Sequence, residues 1–153
     1  MPFVFRLERV LTIRRQALER ARLAVIAAQK ALQEAQLHVE TCKRKLKEKH
    51  EELLDSNYSM AEDYLRVIKS LDDDLTKAKQ DLIRKEQELE ARKKELIEAQ
   101  KKVEALEKLR EKQEEEYKLE EARLEQKLID EKVTMQYANE MVAKPELDSE
   151  LVL

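Results

Sequence analysis

His38, Cys42 and His50 are the residues of this sequence whose types most suit soft metal ligation, and they are too few and too isolated for a metal cluster. A structural zinc site takes four Cys or His ligands, and a catalytic one takes three plus an open position. Two histidines and one cysteine, spread along the chain, supply neither, so both histidines read as solvated side chains and Cys42 as a small apolar residue. A single cysteine forms no internal disulfide, which suits a reducing compartment. Phosphate chemistry is excluded on other grounds. Loops that cradle phosphates need backbone that only Gly supplies, and the sequence has no Gly. Acidic runs such as Glu114-Glu115-Glu116 are the ordinary solvated face of a helix. The expectation is a protein that is not an enzyme, with no catalytic residue, no cofactor and no metal.

The elements that would position these residues follow from composition. Charged residues make up 42% of the chain and hydrophobic ones another 42%. Leu, Glu, Lys, Ala, Arg and Gln dominate, all strong helix formers, and the two prolines stand at the extremes, Pro2 and Pro145. Without Gly, few tight turns can form. The fold class expected is all-α. Acids and bases are interspersed to a net charge of -3, which offers no basic face to nucleic acid or to an anionic membrane. No apolar run approaches the roughly 18 to 20 residues that span a bilayer, and Met1 to Arg6 lack the pattern of a signal peptide. Both point to a soluble intracellular protein.

Spacing then sets a register. From Leu7 onward, apolar or small residues return at alternating steps of four and three, the coiled-coil heptad. One column is bulky: Leu11, Leu18, Val25, Leu32, Val39, Leu46 and Leu53. Its companion is narrower: Leu7, Arg14, Ala21, Ala28, Ala35, Cys42 and Lys49. A second series pairs the column Ala61, Ile68, Leu75, Leu82, Leu89, Leu96, Val103 with Tyr64, Leu71, Ala78, Lys85, Arg92, Ala99, Leu106. Between the series lies Asp55-Ser56-Asn57-Tyr58-Ser59, a cluster of turn formers, and Ser59-Met60-Ala61-Glu62 has the spacing of a capping box. Folded about Asn57, facing residues keep a nearly constant sum of numbers. Leu46 then meets Ile68, Val39 meets Leu75 and Leu18 meets Leu96, while Cys42 meets Leu71. Arg14 falls opposite Ala99, Lys85 opposite Ala28 and Arg92 opposite Ala21. A small partner lets a long basic stem cross the seam and keep its charge in water. A slip of one heptad would set Arg14 against Arg92, so these positions mark the register.

The expected architecture is a long two-helix antiparallel coiled-coil hairpin spanning 1–144. Its helices run over about 4–54 and about 60–142 with a turn at about 55–59, and 145–153 form a disordered acidic tail. A single unbroken helix crossing the polar patch is the alternative. The arms are unequal. The register exhausts the first helix near Phe3, beside Arg110, and leaves about Glu111 to Met141 as an overhanging C-terminal helix. There the heptad columns decay to Gln113, Glu120, Lys127 and Glu131, yet Tyr117, Leu124, Leu128 and Met135 still form a stripe. Another protein would cover it, or a second copy of the chain.

Two stretches carry a resemblance. Phe3-Val4-Phe5-Arg6-Leu7-Glu8-Arg9-Val10-Leu11, followed by Arg14-Arg15 and Glu19, resembles the start of the FliJ family, the stalk of the flagellar type III export ATPase. The far segment from Tyr117 through Arg123-Leu124-Glu125-Gln126-Lys127 to Asp130-Glu131 resembles the same family. The resemblance implies a cytoplasmic protein, peripheral to the inner membrane at the flagellar base, whose partners are the hexameric export ATPase, the membrane export gate and export chaperones. It implies a monomer when free, with its terminal end inserted in the ATPase. Arg6, Arg14, Arg15, Tyr117, Arg123, Leu124, Gln126 and Lys127 are the candidates for the ATPase-facing end. Leu54, Tyr58, Met60, Tyr64 and Leu65 are the candidates for a gate-facing tip, or else plain hairpin-capping contacts. The equivalent stalk of a virulence secretion system and a coiled-coil scaffold or filament protein are the competing readings.

Overall fold

The computed structural model describes residues 2–56 and 60–152, with side chains through Val142. Two long helices pack together, α1 over Glu8–Asp55 and α2 over Ala61–Val152. No strand occurs among the described residues. Strong helix formers fill both segments, and acids stand where the helix dipole favours them: Glu8 in the first turn of α1, Glu62 and Asp63 in that of α2. At the end of α1, the Ser56 amide and hydroxyl both donate to the Leu53 carbonyl, at 3.3 and 2.9 Å. Asn57, Tyr58 and Ser59 lie outside the described residues, and with them the centre of the expected turn and the capping serine.

Contacts divide the chain into two compact units, one of Arg9–Glu104 and one of Met1–Glu8 with Ala105–Leu153. In the first unit, the bulky heptad columns supply the core. Leu11, Leu18, Val25 and Val39 are buried from α1, and Ile68, Leu75, Leu89 and Val103 from α2, with Leu11 wholly enclosed. Val39, Cys42, Leu75 and Ala78 form one cluster, with Leu46 and Leu82 packed against it. Burying side chains of this size stabilises by about 1.5–3 kcal/mol each. The surface ion pairs, nearly all spaced three or four residues along one helix, add only about 0.3–0.5 kcal/mol apiece. Apolar burial therefore holds the helices together.

Arg14 shares a groove with two alanines. A shallow groove of about 390 Å³ is lined by Arg14, Ala17, Ala99 and Lys102 among others. Arg92 reaches out of the seam to Glu95 at 3.0 Å and Glu88 at 4.0 Å. Its charge is thus met at the surface, by carboxylates of its own helix.

In the second unit, α1 starts at Glu8, not near residue 4. Residues 2–7 form a non-helical strap, closed by a bond from the Glu8 amide to the Phe5 carbonyl at 3.1 Å. Phe5 is buried, and Phe3 packs on Tyr117 with ring centroids 5.5 Å apart. The heptad register places Phe3 beside Arg110. Non-helical chain advances up to about 3.3–3.6 Å per residue against 1.5 Å in a helix, so the strap reaches about two turns further along α2. Arg110 pairs instead with Glu8, Nε to Oε2 at 3.2 Å. The other end also differs from expectation. α2 continues through Pro145 to Val152, where a disordered tail is expected. Proline removes one backbone donor at a cost of about 3 kcal/mol, but the residues after it keep their amides.

Candidate functional site

The ATPase-facing candidates fall in both units. Arg6 stands exposed in the turn of the strap, and Arg123, Leu124, Gln126 and Lys127 are exposed on α2. Arg14 and Arg15, also exposed, belong to the other unit. Tyr117 is half-buried under Phe3 and donates its hydroxyl to Glu121 Oε1 at 2.8 Å, while Gln126 donates to Asp130 at 3.0 Å. Donation to Glu121 favours the neutral phenol and raises the Tyr117 pKa above that of an ordinary tyrosine. Glu121→Gln is expected to bring the Tyr117 titration back toward the ordinary value, measured by NMR of its ring carbons between pH 9 and 12. An unchanged titration would mean that the bond does not form in solution.

Coverage of α2 stops at Tyr117. Val103 is buried and Leu106, Arg110, Gln113, Glu114 and Tyr117 are half-buried, whereas every residue from 118 to 142 is exposed. Within this stretch, Tyr117, Leu124, Leu128, Met135 and Val142 lie along one side. Leu119, Ile129, Val133, Tyr137 and Met141 form a second row that adjoins no covered residue. Val133 is nine residues on from Leu124, two and a half turns at 3.6 residues per turn, and hence about half a turn round. A heptad template looks for one seam and passes over this second row. Its own spacing, Leu119 and Ala122, then Ile129 and Val133, was the available signal.

At the other candidate surface, Leu54, Met60 and Leu65 are exposed and Tyr64 is half-buried. Tyr58 lies outside the described residues. Tyr64 lines a groove with Lys49, Met60 and Val67. Lys49 donates to Glu52 at 3.0 Å, and that bond raises its pKa. One further contact escaped sequence reading. His38 Nε2 lies 3.8 Å from the Cys42 sulfur, four residues along the same face, so this histidine is not isolated. No group of three His, Cys, Asp or Glu among the described residues is placed to hold a metal ion.

Two long packed helices, with an apolar core at heptad spacing, define an all-α protein. The chain belongs to the FliJ family: residues 3–141 match the family described as "Flagellar FliJ protein". No curated protein matches the sequence. No solved structure matches either. Membership makes this a flagellar, export-related stalk protein of a structural or adaptor family, not a catalytic one. No helix among the described residues is long and apolar enough to cross a membrane.

Proposed function

We propose that this chain is a non-enzymatic stalk of the flagellar type III export apparatus. Its two helices form an antiparallel coiled-coil hairpin, its terminal end inserts into the hexameric export ATPase, and its hairpin tip faces the membrane export gate. The observation that carries the reading is family membership across residues 3–141 together with a stretch of α2, from 118 to 142, whose side chains are all exposed. A helix this polar is marginal alone, so its apolar residues gain most when a partner covers them. The hairpin reading is supported by residues of the two helices that fall together: Val39 and Leu75 share one core cluster, Arg14 and Ala99 line one groove, and Lys49 and Tyr64 line another. In this reading the protein works in the cytoplasm beside the inner membrane, as a monomer when free, and it escorts export chaperones.

A single asymmetric hairpin inside a six-fold ring cannot make the same contact with all six subunits. It favours one interface conformation at a time, and differential contact of that kind shifts the ring toward assembly and turnover without a catalytic group on the stalk. The test is turnover of the purified ATPase with increasing amounts of the chain. Saturable stimulation is expected; unchanged turnover with demonstrated binding would remove the stimulating role.

The register has its own test. Cysteines at Leu18 and Leu96, with Cys42→Ala, face each other in the hairpin and should cross-link within one chain under oxidation. Cross-links found only between chains would point to a dimeric scaffold instead.

A further inference from the structure

The row Tyr117, Leu124, Leu128, Met135, Val142 is not a simple apolar stripe. Its full alternating four-three spacing runs 117, 121, 124, 128, 131, 135, 138 and 142, which places Glu121 and Glu131 among the apolar residues. Glu114, half-buried, stands one step before Tyr117 in the same spacing. Residues 111–142 hold ten acids and five bases, a net charge of -5, although the whole chain carries only -3. The row also continues an interface that exists. Phe3 covers Tyr117 and Glu8 pairs with Arg110, and the next positions along the same side of α2 are bare.

We propose that this row is the docking face for a basic amphipathic helix of another protein, seated on α2 where Phe3 leaves off. Heptad spacing is what a helical partner reads, by setting its side chains into the holes between four residues of the facing helix. The acids set its charge: Lys or Arg at the partner positions facing Glu121 and Glu131 satisfies both, whereas apolar partners would leave carboxylates against a dry seam. A second copy of this chain is disfavoured in two simple registers. Parallel and in register, Glu121 meets Glu121 and Glu131 meets Glu131. Antiparallel, with Leu124 against Leu128, Glu121 meets Glu131. Each arrangement sets like charges opposite one another. The proposal rests on the reading that this segment is the ATPase contact, and it narrows what the ATPase must present there.

The probes are two labelled synthetic helices of four heptads with Leu at the seam positions, identical except for Lys or Glu at the two positions facing Glu121 and Glu131. They are titrated into the full-length chain by fluorescence anisotropy. The Lys peptide should bind at least tenfold more tightly than the Glu peptide, with the advantage shrinking at high salt. The double variant Glu121→Lys with Glu131→Lys should invert the preference, and Leu124→Ser with Leu128→Ser should abolish binding of both while circular dichroism stays unchanged. Equal binding of the two peptides, or none, overturns the proposal. So does a stable dimer in sedimentation that Leu128→Ser dissociates, because a second copy then owns the row. ATPase turnover separates the two readings. If the charge-reversed chain inverts peptide preference but still stimulates the ATPase fully, the docking face stands and the ATPase contact lies elsewhere.

Discussion

A chain that ends after Lys118 should keep the melting behaviour of the full protein and lose its stimulation of the export ATPase. The cut removes residues 119–153, and every described side chain among them, from 119 to 142, is exposed, so it uncovers almost no apolar core there. Surface changes of that kind shift stability by about 0.5 kcal/mol or less. The cut is placed after Lys118 because Tyr117 holds Phe3, and a cut at residue 111 would strip the strap of its partner. Deletion takes Arg123, Leu124, Gln126 and Lys127 with it, which are half of the ATPase-facing candidates. Stimulation should fall at least tenfold, while circular dichroism loses only the signal of the deleted residues. Substituting Tyr64 and Met60 by Ala should do the opposite, leaving stimulation intact and weakening attachment to the export gate. Full stimulation by the truncated chain would move the ATPase contact away from this segment.

The largest single-site effect on stability should come from Leu11→Ala. Among the described residues, Leu11 is the one large side chain with no exposure at all, at 0%. Removing it deletes buried methyl groups and leaves a cavity that two long helices cannot easily close. Large-to-small changes at such sites cost about 2–5 kcal/mol. Leu37→Ala is the internal control, since Leu37 is 67% exposed on the same helix and should change stability by no more than about 0.5 kcal/mol. Urea denaturation followed by circular dichroism measures both. Comparable losses for the two variants would mean that the heptad column is not the core.

The two long helices and their buried columns were legible because they rest on periodicity and size. Bulky positions repeat every seven residues, and the basic intruders Arg14, Lys85 and Arg92 each fall opposite a small residue in the register read from the sequence. The strap was not legible. Phe3 to Leu7 is too short to show a period, and a heptad count carries straight through it, so the count set Phe3 beside Arg110 when it packs on Tyr117. The end of α2 misled for a related reason: Pro145 reads as a stop, yet it removes only one bond from a helix that is otherwise well supplied with helix formers. On the candidate surface, Leu124, Leu128 and Met135 stood out because they nearly continue the seam. Leu119, Ile129 and Val133 did not, because they face away from it. The contact between His38 and Cys42 was available from their four-residue spacing, which puts both on one helical face.

Site-specific photo-cross-linking asks most directly which end of this protein meets the ATPase. A photoreactive residue replaces Leu124 in one full-length chain and Leu65 in another, both exposed positions on α2. Each chain is irradiated with the assembled export ATPase, and the captured protein is identified by mass spectrometry. Capture of the ATPase from position 124 and not from position 65 is the expected result; capture from position 65 alone would contradict the assignment of the terminal end to the ATPase.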